Sequence, residues 1–390
     1  MKTLRFKAFM RERNLLSMNG EESLLSVSEY YGVKPREEIK DDDEFISRAE
    51  SLEGYRIVKK GDLVMNYMLA WKGAYGISKY EGIVSPAYAV FYIDETVANL
   101  NYIHYKLRTD EFKVLFRSRS KGIIESRLRL YPEIFLSLQA SLPPLAIQER
   151  IASFLDGETA RIDALIEKKK RLVELLEEKR KAEVMNVLTK GLNNSAEVTP
   201  SNFSWIGNYP KHWKMFRLRH LVNINTGNKD TENKKDSGNF PFFVRSPIVE
   251  KIDSYSYDGE AVLTAGDGVG VGKVFHYING KFDFHQRVYA FTNFKYVTGK
   301  YFYHYLSTFF HYQMTQHSAK STVDSVRLHF LQNFVLVVPP HNEQIDIVEY
   351  MNNLSEKFKN LTSQILLSIK KLEEYRTALI TEAVTGQIEI

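Results

Sequence analysis

The chain has 390 residues, 44% hydrophobic and 26% charged, with a formal net charge of +5. That composition fits two or three globular domains and argues against a disordered chain. The absence of cysteine removes disulfides and thiolate metal sites. No apolar run reaches the roughly 18 residues of a membrane span, so a cytoplasmic location is expected.

The first head covers 1–142. It opens on MKTLRFKAFMRERN, which has no apolar core of signal-peptide length. Short strand-like runs rich in Tyr, Phe and Val follow, punctuated by glycine, with a helix late in the head. This reads as an α+β domain whose irregular loops carry specificity. The aromatic-polar loop 67–75 offers Trp71, Lys72 and Tyr75 as candidate DNA contacts, although Trp71 equally suits a core. Near the end of the head, Arg117, Arg119, Lys121, Arg127 and Arg129 face only Glu125. Arginine beside strands suits phosphate and base edges because its fork grips them bidentately, whereas a solvated loop is the plainer alternative.

Pro143-Pro144 opens a long helical run, 143–192, that ends near Gly191. Candidate seam residues are Ile151, Leu155, Ile162, Leu165, Leu172 and Leu176, interrupted by Glu158 and Lys169. About 45 helical residues at 1.5 Å each give a rod of roughly 65–70 Å. Its run Lys168-Lys169-Lys170-Arg171 reads as a solvated face.

A polar linker precedes the second head, 193–337, which opens on Trp205-Ile206-Gly207-Asn208-Tyr209-Pro210-Lys211-His212-Trp213. The first head lacks this opening, and Leu218-Arg219 aligns best with Leu4-Arg5. KKGDLVMN (59–66) matches YDGEAVLT (257–264), and His104-Tyr105 matches His304-Tyr305. Candidate DNA contacts here are Arg245, Lys273, Arg287, Lys320 and Arg327. The glycine run 266–273 invites a phosphate-loop reading but fails it. Asp267 sits where the first glycine is needed, and Val274 where Ser or Thr is needed. A flexible, close-approach loop is expected instead.

Pro339-Pro340 opens the second long helix, 338–390. Its seam holds Ile347, Met351, Leu354, Phe358, Leu361, Ile365 and Leu372 at alternating steps of four and three, with Ser368 at the intervening position, a coiled-coil pattern. The two helices align without a gap at a spacing of 196 residues, Gln148 on Gln344 and Arg180 on Arg376. A repeat of this length makes two equivalent heads, and the return of the chain between copies favours an antiparallel helix pair.

No histidine pair at metal spacing and no nucleophile–base constellation stands out, and neither Pro-Pro follows Asp or Asn as an amino-methyltransferase motif would. The chain reads as non-catalytic. The Pro-Pro-x3-Gln helix openings, the Trp-Ile-Gly-x2-Pro-x-His-Trp segment and the helix end 375–386 resemble the specificity (S) subunit of Type I restriction-modification systems. So do Lys72-Gly73-Ala74-Tyr75-Gly76 and the following Gly82-Ile83-Val84-Ser85-Pro86-Ala87-Tyr88. The missing opening of the first head is the one departure.

The resemblance implies two target-recognition domains, each reading half of a split double-stranded DNA target, held apart by the rod. It implies assembly with two modification subunits that use S-adenosylmethionine, and with restriction subunits that use ATP and magnesium. This chain itself would hold no cofactor. Competing readings are a coiled-coil adaptor that binds only proteins and a fused methyltransferase-nuclease.

Overall fold

The computed structural model describes residues 2–29, 32–38, 51–124, 127–315 and 325–390. The chain is α+β and divides into two compact units. One comprises Met1–Lys170 with Leu366–Ile390, the other Arg171–Ile365. The dividing line passes through both long helices, Leu145–Lys190 and His341–Thr385. A four-segment partition by sequence therefore becomes two units, each made of one head and half of each helix.

In the first unit a four-stranded antiparallel sheet runs in the order Met10–Glu12, Tyr88–Ile93, Leu63–Asn66, Tyr75–Ile77. Leu63–Asn66 is buried along its whole length, as expected of a central strand covered on both faces. Phe6, Phe91, Phe116 and Phe135 fill the space behind it, with Phe6–Phe135 and Phe91–Phe135 ring centroids 4.9 and 5.0 Å apart. Such pairs contribute about 0.5–1.5 kcal/mol each beyond the area they bury.

In the second unit the sheet has six strands. Tyr257–Ala265 lies between Val288–Thr292 and Phe275–Phe284, and Phe240–Phe243 joins the latter in parallel. Its core is again aromatic, with Tyr301, Phe302, Tyr305, Phe309 and Phe310 along one helix, Gly299–Thr315.

The same helix entrance is built in both units. Gln148 is buried; its Oε1 accepts from the Asn99 amide at 2.9 Å and its Nε2 donates to the carbonyls of Val97 and Pro143. Gln344 repeats this with the Thr298 amide and the carbonyls of Tyr296 and Pro339. The Pro-Pro-x3-Gln motif is therefore a lock between head and helix. Proline leaves carbonyls without a helical partner, and one amide side chain satisfies three backbone groups at once.

Strand pairing also corrects the alignment of the heads. Lys2–Arg5 pairs with Gln139–Leu142, placing Arg5 opposite Gln139. Lys214–Arg217 pairs with Val335–Val338, placing Arg217 opposite Val335. Arg5 thus corresponds to Arg217 and Phe6 to Leu218, two residues away from the match of Leu4 with Leu218. Phe6 and Leu218 donate to equivalent carbonyls, Leu138 and Phe334. The extra opening of the second head is structural. Trp213 is buried, donates to Glu343 at 2.9 Å, and lies where a side chain at Gly191 would stand 2.9 Å from its ring.

Within each unit the two long helices run antiparallel. Arg376 grips Asp163 through Nε (2.8 Å) and Nη2 (3.2 Å) in the first unit. Tyr350 donates to Glu183 in the second. The seam begins as expected at Ile151, Leu155 and Ile162, and at Ile347, Met351, Leu354 and Phe358, all buried. It then shifts by one residue. Leu165, Leu172 and Leu361 are exposed at 42, 45 and 38%, while Ile166 and Ile369 are buried. Ile365, Leu372 and Leu176 remain half-buried.

The least exposed positions run from 151 to 187 in ten steps and from 347 to 383 in ten steps, which is 36/10 = 3.6 residues per step in each helix. That is the period of a straight α-helix. A strict 3.5 repeat drifts from it by about 20° per heptad, enough to turn position 361 outward and bring the next turn's neighbour in. The basic run 168–171 is a solvated face, with Lys170 on Glu167 and Arg171 on Glu174.

Candidate nucleic-acid interface

In the first unit two loops come together. The turn Ala70–Lys72 is followed by Gly73 in the left-handed region, and it packs on the helix Asp110–Arg119. Trp71 has the Lys72 ammonium 5.2 Å from its ring centroid and the Arg117 guanidinium 5.2 Å from it. The Leu130 amide donates to the Tyr67 carbonyl at 2.8 Å, and Tyr67 stacks on Tyr131. These ties bind the 67–72 loop to the segment 121–131, where Lys121 and Arg129 exchange both backbone hydrogen bonds.

The result is one basic surface carrying Lys72, Arg117, Arg119, Lys121 and Arg127, all exposed. Ile123 is fully exposed among them. Lys72, Arg119, Lys121 and Arg127 have no carboxylate partner among the described residues, so their charge is available to an anionic partner.

Tyr75 does not belong to this surface. It is buried, its hydroxyl donates to the Leu107 carbonyl at 2.6 Å, and its ring meets Phe116 edge-on. Burial pushes its phenol well above the usual value. The loop's alternation of polar and aromatic residues hid this, because Tyr75 already begins the strand Tyr75–Ile77 and points inward.

In the second unit the arrangement differs. Asp267 follows the strand Tyr257–Ala265 and receives Arg245 Nη1 on Oδ1 at 2.9 Å and Arg287 Nη1 on Oδ2. Burial pushes the Asp267 carboxyl up, and the two guanidinium hydrogen bonds outweigh it and hold the group below its ordinary value. The two arginines read from sequence as separate contacts are thus one clamp, still half-exposed and with donors to spare.

Arg327 lies beside it and is exposed, because the Val326 amide donates to the Gly266 carbonyl and Ser325 bridges Asp267. The glycine run is a close-approach loop. A side chain at Gly270 would stand 2.3 Å from the Arg245 carbonyl, so the glycines let the clamp close. Lys273 is exposed at the far end of this loop and has no carboxylate partner among the described residues. Lys320 lies outside the described residues.

The sequence shows Asp267 only as a departure from the phosphate-loop pattern, not as the residue that joins the two arginines. The signal for it was an acidic residue in a glycine loop between arginines at strand ends. Among the described residues no group of three or more His, Asp or Glu could hold a metal ion. No helix among them is long and apolar enough to cross a membrane.

The chain thus carries two α+β heads, each locked to a pair of long helices by the same glutamine and each bearing a basic loop surface. Comparison with known proteins shows what it resembles. Residues 210–371 match the family model for the Type I restriction modification DNA specificity domain.

It is 27% identical over 182 residues to the Type I restriction enzyme EcoDI specificity subunit of Escherichia coli, covering 47% of this chain and 40% of that protein. It is 25% identical over 171 residues to the MjaVIII specificity subunit of Methanocaldococcus jannaschii, covering 44% of this chain and 37% of that one. The matched region thus spans about two fifths of these curated relatives.

The fold is shared over nearly the whole length. A chain from a structure concerned with complex assembly and conformational transition of the type I R-M system superposes with a TM-score of 0.73 at 15% identity, covering 99% of this chain and 98% of that one. The HsdS subunit of Thermoanaerobacter tengcongensis superposes at 0.58 with 14% identity, covering 99% and 97%.

Proposed function

We propose that this chain is the DNA specificity subunit of a Type I restriction-modification complex. Each head reads one half of a bipartite double-stranded target, and the long helices dock two modification subunits. Restriction subunits join the same assembly. The subunit works without chemistry of its own, and S-adenosylmethionine, ATP and magnesium belong to the partners. The complex acts in the cytoplasm.

The observation that carries this reading is the specificity-domain match over 210–371, a stretch that contains the arginine clamp on Asp267. Fixed guanidinium groups suit base edges, where a good bidentate contact contributes about 1–3 kcal/mol of discrimination. The unpartnered cations of the first head suit phosphates, whose neutralisation dominates affinity and makes it salt-dependent.

The test is to sequence methylated DNA from cells carrying this chain with its modification partner. Two short motifs at a fixed separation are expected, and Arg287→Ala should blur one of them alone. A single contiguous motif, or blurring of both halves together, would overturn the reading. An adaptor that binds only proteins would leave no DNA footprint even with the partners present. A fused enzyme would transfer methyl groups from labelled cofactor by itself.

A further inference from the structure

The first unit holds a cavity of about 300 Å³ that the recognition surface does not explain. Lys72, His104, Arg108, Lys113 and Arg376 line it, with Glu29 as the single acidic side chain. Three elements supply the cations: the turn Ala70–Lys72, the junction between the helices Leu100–Leu107 and Asp110–Arg119, and the last turns of His341–Thr385.

Arg376 is occupied by Asp163 and Lys113 by Asp110. Arg108 is not matched in this way. Its Nη2 donates to the Tyr75 carbonyl at 2.8 Å and its Nη1 to the Glu29 carbonyl at 3.3 Å, and its buried Nε finds no acceptor. No carboxylate among the described residues pairs with it. A half-buried guanidinium with only neutral acceptors and an orphan donor is better satisfied when an anion lies beside it. Lys72 adds a second cation, its ammonium over the Trp71 ring and without a carboxylate partner among the described residues.

We propose that this cavity binds a phosphate group. A tetrahedral dianion offers acceptors for the Lys72 ammonium and a full negative charge beside the Arg108 guanidinium, and Lys113 and Arg376 add positive potential around it. The volume sits at the lower end of small-ligand pockets, which suits a phosphate with at most a small group attached.

The local field agrees. His104, at the same wall, is held far below its ordinary value, to about 3, by burial and then by the charges of Arg108, Lys79 and Arg376. The site is peculiar to the first unit. On the 200-residue offset of the heads Arg108 meets Thr308, and on the 196-residue offset of the helices Arg376 meets Arg180, which pairs with Glu177 in its own helix. The phosphate has two possible carriers, a soluble mononucleotide or the DNA backbone.

The test uses the full chain with isotope-labelled histidine, following the His104 ring by NMR and assigning its signal with His104→Gln. Inorganic phosphate, added at constant ionic strength, should move the His104 signal saturably with a Kd of about 1 mM or tighter. It should also raise that histidine's pKa. Arg108→Gln, and separately the surface variant Lys72→Met, should weaken binding about tenfold or more.

A shift no larger than chloride produces, or wild-type phosphate affinity in a folded Arg108→Gln chain, overturns the proposal. A 5′-mononucleotide and a DNA duplex are then compared, and the one that reproduces the phosphate shift identifies the carrier. Because the phosphate arm uses neither DNA nor partner subunits, its failure beside an intact bipartite methylation pattern would remove this site and leave the specificity reading standing.

Discussion

The two heads share their attachment and differ in the basic surfaces they present. Gln148 and Gln344 make the same three hydrogen bonds, and the strands Lys2–Arg5 and Lys214–Arg217 enter in the same register. Beyond that, the first head exposes Lys72, Arg119, Lys121 and Arg127 with no carboxylate partner among the described residues, whereas the second fixes two arginines on one carboxylate. The contrast teaches where a duplicated chain is constrained. Backbone groups buried at the helix entrance must be satisfied in both copies. Loops at the sheet ends are free to diverge because they carry no core.

The largest expected effect tests the shared helix pair. Phe358→Ala should lower stability by about 3–5 kcal/mol, as for a truncated buried aromatic. Leu361→Ala and Leu165→Ala, at exposed positions, should each change it by no more than about 0.5 kcal/mol. Denaturant unfolding of the three variants measures this, and a large loss at Leu361 would restore a heptad seam.

Of comparable size is the lock itself. Gln148→Leu and Gln344→Leu each leave three backbone groups without their partner, at about 1–3 kcal/mol per buried group. Equal destabilisation in the two units is expected. A cost confined to one would mean that the entrances only look alike.

Acid should separate the heads more gently. His104 is neutral in the fold with a pKa near 3, against 6.5 for the free side chain. The unfolded chain therefore binds its proton first, and stability falls as pH drops below about 6.5 and levels only near 3. By pH 5 the loss is about 2 kcal/mol. The ring faces Tyr105 and Arg108 of its own head, Lys72 and Lys113 across one cavity, and Lys79, Asp156, Asp163 and Arg376 across the neighbouring one. His304 is also lowered, by burial without a cationic contribution. His104→Gln should flatten the acid limb of a stability–pH curve more than His304→Gln does. The reverse order would contradict the cationic surroundings of the first histidine.

Much of this organisation was legible in the chain. A gap-free repeat of 196 residues announced two helices of one kind, and Pro-Pro with Gln five positions on marked both entrances. The early seam residues are buried where the heptad pattern puts them because a 3.5 and a 3.6 period agree over the first three turns. The later ones did not, because the difference accumulates along the helix and only packing shows which phase wins. The burial of Tyr75 and the pairing of Asp267 were hidden for another reason. Whether a loop tyrosine turns inward, or a loop aspartate collects two arginines from distant strands, depends on tertiary pairing that local pattern does not encode.

The comparison sharpens most at Asp267. If its role is to hold Arg245 and Arg287 in a fixed pose, Asp267→Ala leaves both cations in place and frees their geometry. Non-specific DNA binding by the assembled complex should then hold or rise slightly, since a negative charge is gone, while discrimination at one half-site falls about tenfold, or 1.4 kcal/mol. Lys121→Ala in the first head should do the opposite. It should weaken binding to every sequence alike and reduce the slope of log affinity against log salt by about 1, leaving the motif intact. Salt titrations with matched and mismatched duplexes read both quantities in one experiment. If Asp267→Ala weakens all sequences equally, the clamp is a phosphate grip like the first head's surface, and the two heads differ in construction but not in how they read DNA.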